Sequence, residues 1–162
     1  MDERELLNIS PIDGRYHSKV AELGQYFSEY ALMKFRIYVE VEYFIAMTEL
    51  PIAQLKDFDS DNRGKLRNIY KKFNIDDCQQ IKVIEAKINH DVKAVEYFIK
   101  DKFDELGFGK WKEFIHFGLT SQDINNTAIP ISLRDALIDV YAPLLEDLIN
   151  TLSELAIQWT KI

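Results

Sequence analysis

The eleven residues from Phe117 to Thr127 concentrate hydroxyls, amides and one carboxylate at what reads as the start of a long helix. With Thr120 as N-cap, Asp123 falls at the third helical position of a capping box. Leu119 and Ile124 then fall where a hydrophobic staple places its two members. The backbone N–H groups of Ser121 and Gln122 are left without intrahelical partners, and with the positive end of the helix dipole they suit a carboxylate or a phosphate. The spacing leaves two readings open, a well-capped helix and an anion site. The three pairs Thr120-Ser121, Gln122-Asp123 and Asn125-Asn126 exceed what a cap alone needs.

His90 stands beside Asp91, and a carboxylate near an imidazole orients it for proton transfer. Adjacent residues on a helix point about 100° apart, so the two side chains do not simply hydrogen-bond to each other. A solvated polar helix face is the competing account. Arg15 and Tyr16 follow Pro11 and the turn dipeptide Asp13-Gly14. They read either as a solvated pair or as a guanidinium fork and phenol that would suit a phosphate. His116, just before Phe117-Gly118, reads as a packed or capping histidine. Cys78 beside Asp76 and Asp77 sits in a negative field that works against thiolate formation, so it is no nucleophile candidate. The three histidines, His17, His90 and His116, show no metal-ligand spacing, and no metal or cofactor is expected.

The elements that must position these residues are helices. Apolar positions recur in steps of three and four, and no strand alternation or hairpin signal stands out. Ser28 is placed to cap a helix with Leu32, Phe35, Val39, Tyr43 and Met47 on one face, ending before Leu50-Pro51. A polar loop from Asp57 to Gly64 and a short helix with Leu66, Ile69 and Tyr70 come next. From Asp77 a single register through Ile81, Ile88, Val95 and Phe103 predicts one helix running to Gly107, with Asn89, His90 and Asp91 changing its composition but not its phase.

The segment from Gly107 to Trp111 reads as a hinge, which divides the chain into a helical domain over 1–111 and the start of a helical bundle over 112–162. From Leu133 to Ile162 eight apolar steps cross 29 residues, close to 3.6 per step. Pro130 and Pro143 should bend this helix without ending it, since the stripe resumes in phase. The stripe is still in phase at Ile162, so the bundle helix is expected to be truncated there. The fold expected is all-α.

Composition narrows the function classes. The chain has 162 residues, 47% of them hydrophobic, enough to bury a sizeable core. Its net charge of −7, with no basic stripe, argues against nucleic acid as a partner. One cysteine allows no internal disulfide, which fits a reducing cytoplasm. The start Met1-Asp2-Glu3-Arg4-Glu5 is charged, and no apolar run approaches the ~20 residues a bilayer span needs, so no membrane is expected.

Three separated segments then combine: Ser10-Pro11-Ile12-Asp13-Gly14-Arg15-Tyr16, Asn89-His90-Asp91-Val92-Lys93-Ala94-Val95-Glu96-Tyr97-Phe98, and Glu113 through Asn126 with its Phe117-Gly118-Leu119-Thr120-Ser121-Gln122-Asp123. Together, and with Lys34-Phe35-Arg36 and Val39-Glu40-Val41, they resemble the adenylosuccinate lyase family in order and spacing. The Thr-Ser-x-Asp element alone would indicate only the wider fumarase and aspartase superfamily. The resemblance implies a β-elimination that releases fumarate from adenylosuccinate, leaving AMP, and from the succinyl-carboxamide ribotide of the purine pathway.

It also implies roles. Arg15 and Tyr16 would hold the nucleotide phosphate; Asn89, His90 and Asp91 would line the nucleotide and succinyl pocket; Thr120 and Ser121 would bind a succinyl carboxylate. The family's general-acid histidine lies in a Thr-His-Gly motif and its serine base on a Ser-Ser-x-Met-Pro loop, and these 162 residues contain neither motif. The chain therefore resembles the N-terminal part of a homotetrameric, cytoplasmic enzyme, with His90 in support and no acid or base of its own. The other readings are a non-catalytic helical interaction module of the same ancestry, and a different fumarate-releasing lyase such as one acting on argininosuccinate. Arg15-Tyr16 argues against that last reading, because argininosuccinate has no phosphate.

Overall fold

The computed structural model describes residues 7–160, so the charged start at 1–5 and the last stripe position, Ile162, lie outside the described residues. The fold is all-α, with no strand among the described residues. Six helices carry it: α1 (Glu29–Met47), α2 (Arg63–Lys71), α3 (Ile75–Ile88), α4 (Asp91–Glu105), α5 (Ser121–Ala136) and α6 (Ala142–Trp159). Shorter turns of α-helix occupy His17–Val20 and Gly24–Phe27, and 3-10 turns occupy Ala21–Leu23, Ser60–Asn62 and Gly109–Phe114. No helix of the described residues is long and apolar enough to cross a membrane.

The chain forms two compact units, one of Glu29–Ile131 and the other of Met1–Ser28 with Ser132–Ile162. The segment Gly107–Trp111, read from sequence as a hinge, lies within the larger unit.

In the larger unit α1 packs against α2, α3 and α4. Its core is aromatic: the Phe44 ring meets Phe58 and Phe103 edge-on, with centroids 5.3 and 4.9 Å apart. Edge-to-face pairs suit the quadrupoles of the rings, and burial of such large side chains dominates the core energetics. Of the face expected for α1, only Met47 is buried. Met33, Ile37, Val41 and Phe44 are fully buried, together with the charged Arg36 and Glu40, while Leu32, Phe35, Val39 and Tyr43 are only half-buried. The helix is apolar round most of its circumference, so periodicity picks a stripe weakly.

The single helix expected from Asp77 to Gly107 is two. α3 starts at a capping box in which the Asn74 side chain accepts from Asp77 N–H and Asp77 accepts from Asn74 N–H. It ends at Asn89, whose φ of 53° is left-handed, a conformation asparagine tolerates better than most residues. His90 is extended and starts α4. The ion pair of Lys102, in the last turn of α4, with Asp77, in the first turn of α3, shows that the two helices run antiparallel. A two-residue break shifts the chain direction while leaving the apolar spacing intact, which is why the register concealed it.

In the smaller unit Tyr26 is the anchor. Its phenol donates to Asp139 at 3.1 Å, and its carbonyl accepts from the Ser132 hydroxyl at 2.5 Å. The chain stays helical from Ser121 to Trp159, with Pro130 inside α5 and a π turn at Leu137–Tyr141. Pro143 explains the π turn. Its ring would press on the carbonyl four residues back, at Asp139, and the turn widens there, with Ala142 N–H donating to Leu137 carbonyl. No side chain of α6 is buried.

Candidate functional site

The start of α5 has the arrangement its sequence implies. Thr120 N–H donates to the Asp123 carboxylate at 2.7 Å, and Asp123 N–H reaches back to the Thr120 hydroxyl at 3.4 Å. The Thr120 hydroxyl also donates to Asp123, at 2.7 Å. These bonds from Thr120 hold the Asp123 carboxyl below its ordinary range. Of the two residues at the staple positions, Ile124 is fully buried and Leu119 half-buried. Thr120 and Ser121 therefore differ. Thr120 is committed to the cap, whereas the half-buried Ser121 hydroxyl makes no hydrogen bond among the described residues and is the donor left for a ligand.

His90 is also a cap. Its Nδ1 accepts the Lys93 N–H at 3.1 Å, satisfying one of the unpaired donors at the start of α4 and leaving Nε2 as the protonated nitrogen. Asp91 lies 3.9 Å from that ring, beyond hydrogen-bond reach, and its partner is Arg36 instead. Partial burial pushes the Asp91 carboxyl up, but the Val92 N–H and the Arg36 guanidinium outweigh it and hold the group below its ordinary range.

Arg36 joins the two motifs. From the buried face of α1 its terminal nitrogen meets Asp91 at 2.7 Å, and its Nε donates to the Asn125 side chain at 3.0 Å. One guanidinium thus fixes the start of α4 against the first turn of α5, using the fork geometry that a lysine lacks. Asp91, next to His90, and Asn125, four residues along α5 from Ser121, are thereby held by one side chain. One turn further along α1, Glu40 is fully buried and takes both the backbone N–H and the ring of His116. Glu96, also buried, is held by Lys93 at 2.7 Å and Lys100 at 3.2 Å.

Sequence reasoning passed over Arg36, Glu40 and Glu96 as site residues. The available signal was the four-residue spacing of Arg36 and Glu40 within an otherwise apolar helix.

A cleft of about 320 Å³ opens between α1 and the start of α5, lined by Tyr38, Val39, Tyr43, Leu119, Ile124 and Thr127. Its lining is largely apolar but also holds Glu42 and Asp123, the capping partner of Thr120, and it includes none of Asn89, His90, Asp91 or Ser121. Volume alone does not mark the site here.

Arg15 and Tyr16 lie in the smaller unit. Their segment is tightly turned: Tyr16 N–H donates to Pro11 carbonyl at 2.9 Å and Asp13 N–H to Ser10 carbonyl at 3.2 Å. The Arg15 guanidinium rests over the Tyr16 ring, 5.2 Å from its centroid, and has no carboxylate partner among the described residues. Both side chains are exposed.

The profile of a family described as "Lyase" matches residues 14–162. The chain belongs to this lyase family. Among its relatives, the adenylosuccinate lyase of Dictyostelium discoideum is 51% identical over 97% of this chain and 35% of that protein. The adenylosuccinate lyase of Escherichia coli strain K12 is 42% identical over 100% of this chain and 36% of its own length. That of Haemophilus influenzae is 42% identical over 97% of this chain and 35% of its own length. The chain thus spans about a third of the length of the curated relatives it matches.

Proposed function

We propose that the chain is the N-terminal part of an adenylosuccinate lyase, a C–N lyase that converts adenylosuccinate to AMP and fumarate, and the succinyl-carboxamide ribotide to its carboxamide and fumarate. The reaction is a β-elimination. A base removes the Cβ proton, the electron pair forms the new double bond, and the C–N bond breaks as an acid protonates the leaving nitrogen. The observation that carries the reading is the Arg36 bridge, which sets the Asn89-His90-Asp91 segment against the Thr120-Ser121 helix start.

The roles follow from the chemistry of each group. Ser121 and the free N–H groups at the start of α5 take a succinyl carboxylate, where fixed donors stabilise the charge that builds up as the Cβ proton leaves. His90, with Nε2–H outward, and Asn89 and Asp91 line the nucleotide and succinyl pocket. Arg15 and Tyr16 take the phosphate. Acid and base come from segments carrying Thr-His-Gly and Ser-Ser-x-Met-Pro motifs, which residues 1–162 do not contain, so this part alone releases no fumarate. The exposed apolar residues of α6 support association of subunits; on the same reading the whole enzyme is a cytoplasmic homotetramer that uses no cofactor.

The test is direct. The full-length protein, given adenylosuccinate, should produce AMP and fumarate in equal amounts. An intact, folded full-length protein that leaves adenylosuccinate unchanged overturns the reading.

A further inference from the structure

Glu40 lies on the buried face of α1 with its side chain wholly out of solvent, and both of its oxygens go to one residue. One accepts the backbone N–H of His116 at 3.1 Å, and the other meets Nδ1 of the same ring at 2.5 Å. Burial pushes the Glu40 carboxyl up, nearby Glu96 adds to this, and the His116 bonds oppose it. A buried carboxylate is unfavourable without such compensation.

His116 brings its own cost, since its φ of 61° is left-handed, a region that residues with a side chain occupy seldom. A buried acid and a left-handed histidine are thus held in place by each other. If the position only had to fill the core, an apolar side chain would do so without either penalty. The His116 ring is not wholly enclosed, with 16% of its side chain exposed, and its carbonyl accepts the N–H of Leu119, the residue just before the capping box of α5, at 3.3 Å. Arg36, one turn away on the same face of α1, holds Asp91 and Asn125. α1 therefore presents two buried charges that organise the same loop and helix start.

We infer that Glu40 is a positioning residue: by gripping the backbone and Nδ1 of His116 it presents Nε2 of that ring to the substrate beside Ser121. The inference rests on the lyase reading above. A carboxylate that orients an imidazole through one nitrogen leaves the other with a fixed direction and a fixed role in proton exchange or hydrogen bonding.

The experiment is a double-mutant cycle in the full-length protein with adenylosuccinate as substrate, pairing Glu40→Gln with His116→Gln. Glutamine at 116 keeps a nitrogen near the Nε2 position and the backbone bond to Glu40 but loses the Nδ1 bond. In the wild-type background Glu40→Gln should lower kcat/KM by about 10- to 100-fold, the worth of one charge-assisted hydrogen bond. In the His116→Gln background the same change should matter by less than about threefold, because the imidazole it orients is gone and only the backbone bond remains. Equal losses in the two backgrounds, or a wild-type rate for Glu40→Gln, would overturn the inference. If Glu40→Gln does not yield folded protein, Glu40→Asp is read in the same cycle with the same criteria, since one methylene less withdraws the carboxylate from Nδ1. Failure of the unaltered full-length protein to cleave adenylosuccinate removes the lyase reading itself, whereas an active enzyme with an additive cycle removes only the role of Glu40.

Discussion

Arg36 and Asp91 meet at 2.7 Å, with the guanidinium buried and the carboxylate half exposed. Replacing Arg36 by Met keeps the apolar stem and removes the fork. Losing one member of a fully buried pair costs about 3–5 kcal/mol, but water can reach Asp91, so a loss of about 1–2 kcal/mol is expected. Turnover should fall further than that, because Asp91 and Asn125 lose their common anchor. Denaturant unfolding and steady-state kinetics of Arg36→Met check both, and unchanged kinetics would show that the bridge serves the fold alone.

His90 serves as a helix cap and, on the proposed reading, as a pocket residue. His90→Ala should cost about 1 kcal/mol from the lost cap, with a larger proportional loss of turnover. His90→Asn separates the two, since asparagine caps well but cannot place a donor where Nε2 stands. Full recovery of stability without recovery of turnover is expected. Recovery of both would reduce His90 to its cap.

Thr120 and Ser121, adjacent in sequence, should behave differently. Thr120→Ala removes the capping hydroxyl and should cost about 1 kcal/mol of stability. Ser121→Ala should leave unfolding almost unchanged and lower turnover by about 10²-fold or more, if its hydroxyl acts on developing charge. A rate within a few fold of wild type would make this helix start a cap and nothing more.

How far these assignments were legible in the sequence depends on the physics of each. The capping box at Thr120 and Asp123 was legible, because a cap is a local pattern of hydroxyl and carboxylate at fixed spacing. The all-α fold was legible in the periodicity. The break at Asn89 and His90 was not, since a helical hairpin can preserve the phase of its apolar stripe across a two-residue turn. Arg36 and Glu40 were hidden for another reason: a charge buried against a partner 55 or 76 residues away has no local signature, and only its position within an apolar helix hints at it.

Arg15→Ala in the full-length enzyme should weaken AMP binding by about 1.5–3 kcal/mol, the range for a charged hydrogen bond to phosphate. Isothermal titration with AMP measures it. Unchanged affinity would remove the phosphate role and leave Arg15 as a surface cation stacked on Tyr16.

Tyr70 supplies a pH test of the larger unit. Burial, and then its bond to Glu42 at 2.9 Å, raise its phenol from 10.0 to about 12. A group whose folded pKa is raised contributes stability that is complete below its unfolded pKa and is lost as pH climbs through the folded value. Stability should therefore decline between pH 10 and about 12. Tyr70→Phe should flatten that decline, and the difference absorbance of the two proteins should show one phenol titrating late. A normal phenol titration in that difference spectrum would mean Tyr70 is open to water.

The last expectation concerns residues 1–162 expressed alone. α6 buries none of its side chains, and Leu144, Leu148, Leu152 and Trp159 are each more than half exposed, at 63%, 54%, 57% and 61%. They recur at helical spacing, so they form one continuous apolar stripe, and a stripe of that kind drives association when nothing covers it. Sedimentation should show oligomers that grow with concentration, and Leu148→Glu with Leu152→Lys should shift them toward monomer. These two changes lie in the smaller unit and touch no member of the aromatic core of the larger one, so the helical signal should persist. Fumarate release should be absent at every concentration, because assembly brings together copies of a segment that holds binding groups but no Thr-His-Gly acid and no Ser-Ser-x-Met-Pro base. A strictly monomeric species at high concentration would refute the exposed stripe as a contact surface, and measurable turnover would refute the placement of acid and base outside these residues.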